Sequence, residues 1–233
     1  MAIVEREPVE QPARKTPWSE RIVEFFIRLS GISVIVIVVL IFLFLVREAL
    51  PIFGQVSLSS LLGSRWYPIE GLYGMSSLIV GTLMVTFGAI VIAIPLGLVT
   101  AVYLGEIAPN WQREILKPLI EVLAGIPSIV LGFFGWIALA PLIQSLGAPS
   151  GLTAFSGSLI LAFMSLPTII SITEDALYAV PREYRDGALA VGATHWQTIW
   201  RVVVPAARSG IVIAIMLGIG RAIGETMAVM LVT

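Results

Sequence analysis

The feature that most constrains this chain is a run at 29–46 that contains no charged residue. A helix needs roughly 20 mostly apolar residues to cross about 30 Å of hydrocarbon. Four more apolar stretches follow, at about 78–104, 119–143, 157–172 and 209–232. Stretches of this kind read as helices, because barrel strands would be about ten residues long with alternating polarity. Hydrophobic residues make up 58% of the chain and charged residues 12%, against roughly 45–50% and 25% in soluble domains. Such a chain cannot cover a water-facing globule, and it is too apolar for a disordered one. The expectation is an all-α, polytopic membrane protein with five visible transmembrane helices.

Composition narrows the chemistry as well. With no cysteine and one histidine, the chain lacks a disulfide framework, thiolate metal sites and histidine clusters. A net charge of −1 offers no basic surface for nucleic acid. No metal and no bound cofactor are expected.

Residues 1–17, rich in Pro, Glu and Arg, read as a disordered tail. In 18–28, Ile22, Phe25 and Phe26 lead to Leu29 at helical spacing, which reads as an interfacial helix feeding the first span. The sequence Arg47-Glu48-Ala49-Leu50-Pro51 lacks a small-x-small cleavage pattern, so the span is assigned to the mature protein. Residues 29–233 then form one membrane domain. Lysines and arginines give its orientation. Arg6, Arg14, Lys15, Arg21, Arg28, Arg113, Lys117, Arg182, Arg185, Arg201 and Arg208 fall on one side, and only Arg47 and Arg65 on the other. The positive side is cytoplasmic, which places the N-terminus there, in a plasma (inner) membrane.

The long cytoplasmic segment at about 173–208 looks structured. Pro181 suits the first turn of a helix, and Gly192 suits the left-handed residue that closes one near Ala190. Thr194 and Gln197 fit a capping box that starts a second helix. Pro205 marks the end of that helix, or a kink. Periodicity leaves two readings open, a rigid projecting knob and an amphipathic hairpin on the lipid surface.

The same segment carries a resemblance. Asp186-Gly187-Ala188, three residues, Gly192, nine residues and Val202-x-Val204-Pro205 is similar to the EAA loop of ABC importer permeases. Three further motifs, at 92–106 (IAIPLGLVTAVYLGE), 124–135 (AGIPSIVLGFFG) and 220–226 (GRAIGET), resemble phosphate-specific permeases of the PstC/PstA type. The N-terminal extension favours PstC. The resemblance implies the MetI-like fold of type I ABC importers, with the loop docking on an ATPase subunit. It also implies a second permease subunit (PstA-like), two copies of the ATPase (PstB-like) and an extracytoplasmic phosphate-binding protein (PstS-like). Family members have a sixth span, which this chain lacks before Thr233. The only lysines, Lys15 and Lys117, do not follow the glycines of a phosphate-binding loop. ATP must therefore be hydrolysed by the partner, and this chain is a transport subunit rather than an enzyme.

The candidate substrate path is Arg221 and Glu225 with Gly220, Gly224 and Thr226. Two charges within a span cost about 5–7 kcal/mol, and the ten Leu, Ile and Val residues of 209–232 return about 3–6. A span so marginal should face protein or a wet cavity. Two readings compete: an internal Arg221–Glu225 ion pair that pins the helix, and a relay for an anion. Gly220 and Gly224 also match a small-xxx-small packing face. For the relay, arginine offers a planar fork to two phosphate oxygens. The carboxylate would prevent a tight trap and accept a hydrogen bond from protonated phosphate. Rival functions are a permease for sulfate or molybdate, an anion channel, and an intramembrane enzyme. His195 reads as a loop residue and Trp66 and Tyr67 as interfacial anchors. Pro95, Pro127 and Pro167 are possible helix breaks.

Overall fold

Apolar length becomes helix almost throughout. The computed structural model describes residues 18–233, so the tail assigned to 1–17 lies outside the described residues. Helix α1 (Trp18–Ala49) carries 18–28 and the first span with no break between them. Two single-turn helices, Ile52–Gln55 and Leu58–Leu61, then lead to a small antiparallel hairpin with Trp66 opposite Tyr73. Next come α2 (Ser76–Ile107), α3 (Asn110–Gly125), α4 (Ser128–Ser145) and α5 (Ala154–Tyr178). The last turn of α2, Tyr103–Ile107, widens to π geometry. The loop helices are α6 (Arg182–Ala190) and α7 (His195–Ala206), followed by α8 (Arg208–Gly224) and α9 (Met227–Val232). Four helices, α1, α2, α4 and α5, are long and apolar enough to cross a membrane. The pair α7–α8, bent by 69°, supplies a fifth when taken as one span.

Two apolar runs are interrupted where an unbroken span was expected. The run at 119–143 breaks at Ile126 and Pro127, both extended with ψ of 128° and 136°. Proline has no N–H to continue the helix, and its ring drives the preceding residue out of helical geometry. The front of the run therefore belongs to α3, a separate helix with no buried residue. The run at 209–232 breaks at Glu225, where ψ is 125°, and resumes as α9. Pro95 and Pro167 instead lie inside α2 and α5 without ending them.

The centre of the bundle is α2, α5 and α8. Val85, Ala89 and Ala93 meet Leu161, Ala162, Ile169 and Ala222 there. Lipid removes the hydrophobic drive between helices, so close van der Waals contact through small residues must hold them. A Cβ at Gly97 or Gly218 would lie 2.7 or 2.5 Å from the Ile169 side chain. At the loop end, Val102, Leu177, Val180, Ile199, Val203 and Ala207 join α2 and α5 to α7. At the other end α4 and α9 run side by side in the same direction. A Cβ on Gly132 would lie 2.7 Å from the backbone of Ala228, and one on Gly135 would lie 3.0 Å from Val232. That register brings the breaks before α4 and α9 to a similar height. Helix α1 stands apart, its described side chains all exposed and an 18-residue stretch of it at a mean hydropathy of 3.2, as suits a lipid-facing helix.

Candidate functional site

Arg221 lies in the last turn of α8. Its Nη1 donates to Thr168 Oγ1 of α5 at 3.2 Å, and Nη2 reaches Ala124 O at the end of α3 at 3.5 Å. Thr168 is about 21 Å from the start of α5 and about 15 Å from its end, so the guanidinium meets the middle of the bundle. It sits at the carbonyl ends of two helices, α3 and α8, where partial negative charge favours a cation. A guanidinium has five N–H donors, and these contacts engage two groups of it.

Glu225 does not pair with Arg221. Among the described residues neither takes part in an ion pair. The reading of an internal ion pair that pins the helix fails because Glu225 has left the helix. Its Oε1 accepts from the N–H groups of Met227 and Ala228, both at 3.1 Å. Those donors lack intrahelical partners at the start of α9, and a carboxylate is favoured at that pole. Each charge is thus held by the opposite end of a helix, which explains how both are tolerated without touching. Thr226 is exposed and makes no side-chain cap.

The glycines divide differently from expectation. A Cβ on Gly220 or Gly224 would meet nothing within 4 Å, so the two form no packed face within this chain. The closed face of α8 is Ala214, Gly218 and Ala222, all buried at helical spacing. Gly220 and Gly224 instead leave open space beside the charged residues.

The loop matches its turn chemistry closely. Pro181 stands just before α6, and the helix ends at Ala190 with Gly192 at φ 88°. Gly192 N donates to Leu189 O at 2.9 Å and Ala193 N to Ala188 O at 3.1 Å, the two-bond closure that a left-handed residue allows. Thr194 Oγ1 accepts from Gln197 N at 3.3 Å, while Thr194 N donates to Gln197 Oε1 at 3.0 Å. Asp186 and Gly187 are exposed and Ala188 is half-buried. Val202 and Val204 are half-buried on α7, and Pro205 is exposed just before the bend into α8. Tyr184, Leu189, Val191, Trp196 and Trp200 are exposed, with the two tryptophan rings edge-on at 5.8 Å. His195, in the first turn of α7, is exposed too.

Sequence reasoning missed several anchors. Ile199 and Val203, 1% and 0% exposed, seat α7, and their four-residue spacing was a readable signal. Thr168 and Ala124, which hold Arg221, carried none. Nor did the tie between Arg185 and Glu106, which are 79 positions apart.

Comparison with known proteins agrees with this architecture. The family described as "Binding-protein-dependent transport system inner membrane component" matches residues 93–233. The chain is similar to the "Probable ABC transporter permease protein YqgH" of Bacillus subtilis (strain 168), at 43% identity over 81% of this chain and 60% of that protein. It is also similar to "Phosphate transport system permease protein PstC" of Pasteurella multocida (strain Pm70), at 38% identity over 76% of this chain and 62% of the relative. The PstC of Haemophilus influenzae is likewise 38% identical, over 73% of this chain and 61% of its own. The chain thus spans about three fifths of the length of these relatives. It belongs to the family of inner-membrane components of binding-protein-dependent transport systems.

Proposed function

We propose that this chain is a permease subunit of an ATP-driven importer that carries inorganic phosphate inward past Arg221 and Glu225. The observation that carries the reading is a mid-bundle guanidinium whose partners among the described residues are a hydroxyl and a carbonyl, beside two glycines that open on space. Neutral partners leave the arginine its full charge for an anion. A phosphate oxygen can replace Thr168 as acceptor, and the planar fork donates to two oxygens at once.

Glu225 acts one short step further along. Its Oε1 is committed to the start of α9, while Oε2 accepts no hydrogen bond among the described residues. That oxygen takes the proton-bearing oxygen of phosphate, which fully ionised sulfate lacks. Its negative charge also weakens the hold of Arg221, so the anion can leave. Relatives that transport phosphate support the choice of substrate.

The exposed aromatic and aliphatic side chains on α6 and α7 suit docking of this loop on an ATPase subunit, which supplies the ATP hydrolysis. The rest of the assembly is a second permease subunit, a second ATPase copy and an extracytoplasmic phosphate-binding protein. The loop and the N-terminus face the cytoplasm, because eleven of the cationic residues lie on that side against two opposite.

The test is uptake of labelled phosphate and labelled sulfate by the assembled transporter, after membrane abundance is checked. Arg221→Met should lose phosphate uptake, and Arg221→Lys should recover little, since a point charge cannot reproduce the fork. Glu225→Gln should lower phosphate uptake and admit sulfate. Robust phosphate uptake by Arg221→Met with Glu225→Met would remove both residues from the path.

A further inference from the structure

We infer that Arg185 and Glu106 form the link that carries movement of the loop helices into α2, and through it into the helices around Arg221. The inference rests on the reading of α6 and α7 as the part that docks on an ATPase.

The geometry is a four-point clamp. Arg185 of α6 donates through Nη2 to Glu106 Oε1 at 2.6 Å and through Nε to Oε2 at 3.3 Å. Its Nη1 donates to Val180 O at 2.7 Å, and Nη2 also donates to Leu177 O at 2.9 Å, the last carbonyls of α5 and its exit. One side chain therefore ties α6 to the ends of both α2 and α5. The Glu106 side chain is 8% exposed and that of Arg185 22%, so water screens the pair little. Two parallel N–H···O bonds to a carboxylate fix direction as well as distance.

Glu106 lies in the π-turn Tyr103–Ile107, which α3 holds as well. Arg113 Nη2 of α3 donates to Gly105 O at 2.7 Å, and the Tyr103 hydroxyl bonds to Gln112 of α3. π-turns recur at functional sites because they re-aim the groups around them. Here the turn aims Glu106 at the loop. Above it, α2 and α8 both close on α5 at one side chain, with Gly97 and Gly218 each against Ile169. Arg221 follows Gly218 by less than one turn. A pull on α6 thus reaches Arg221 through rigid contacts rather than through the bend at Pro205 alone.

The chain has no cysteine, so the ion pair can be replaced by a covalent one. Glu106 and Arg185 border a recess of about 420 Å³ with Arg113, Arg182 and Asp186, which admits a short thiol cross-linker. The variant Glu106→Cys with Arg185→Cys is assembled with cysteine-free partners in proteoliposomes, and labelled phosphate uptake is measured per ATP hydrolysed. The expected result is continued hydrolysis with about tenfold less uptake per ATP, within the usual range of coupling between sites. Cross-linking should restore that ratio. A ratio that stays normal in the double variant, or one that cross-linking leaves low or abolishes, overturns the link. Failure of the unsubstituted chain to co-purify with its ATPase would instead remove the docking reading beneath it.

Discussion

Two arginine–glutamate couples, one at the loop end and one in mid-bundle, are built in opposite ways. At the loop end Arg185 and Glu106 meet in a forked ion pair at 2.6 Å, with two backbone carbonyls taking two further donors. In mid-bundle Arg221 and Glu225 are four residues apart and do not pair at all. Arg221 rests on helix C-termini and Glu225 on a helix N-terminus. The first arrangement satisfies each charge with its opposite and commits both carboxylate oxygens and four of the five N–H donors. In the second, helix ends and neutral partners make the charges tolerable and leave both available. The same two residue types thus form a fastener in one place and, on the function proposed above, a receptor in the other.

Stability should separate the two couples most clearly. Arg185→Met strands the buried Glu106 carboxylate and frees the carbonyls of Leu177 and Val180. Breaking such a pair costs about 3 kcal/mol, the low end for buried pairs because Arg185 is partly exposed. Arg221→Met strands no carboxylate, since Glu225 keeps both amide bonds. Removing its mid-membrane charge offsets the lost contacts, so the change should stay within about 1 kcal/mol. Thermal unfolding in detergent checks both. Equal losses would mean that Arg221 is a structural tie after all.

The packing of α8 sharpens the contrast at a smaller scale. Gly218→Ala places a Cβ 2.5 Å from Ile169 and should destabilise by about 1–3 kcal/mol through overpacking. Gly220→Ala meets nothing within 4 Å and should be neutral or slightly stabilising, because alanine is the better helix former. If Gly220→Ala also lowered phosphate uptake at unchanged stability, the open space beside Arg221 would be part of the path. Equal destabilisation by the two would show that the Gly220 side is packed.

How much of this was legible depended on the range of the physics. The spans followed from apolar length, and the loop corner from turn chemistry that acts within a few residues, at Gly192, Thr194 and Gln197. Breaks inside apolar runs were harder. Pro127 was a recognisable breaker, but Glu225 looked helical because apolar residues continue on both sides of it. Its role as an acceptor for the Met227 and Ala228 amides appears only once the backbone has turned. The carboxylate partner of Arg185 lies 79 positions away and the two partners of Arg221 lie 53 and 97 away, where no local pattern reaches. Local pattern therefore points to Arg221 and Glu225 as a pair, whereas the buried ion pair lies between Arg185 and Glu106.

The smallest effect asks whether the fastener alone makes the loop rigid. Thr194→Ala removes the oxygen that accepts from Gln197 N, and with it half of the capping box at the start of α7. Such a cap is worth about 1 kcal/mol in its own helix. The loss should be local, because Ile199 and Val203 still anchor α7 in the cluster with Leu177 and Val180. Amide exchange measured by mass spectrometry should quicken in the first turn of α7, and protection of α6 should hold. If α6 lost protection too, the two loop helices would open as one unit, and the corner would matter as much as Arg185. If neither helix changed, burial of Ile199 and Val203 would suffice, and the capping box would set only where α7 begins.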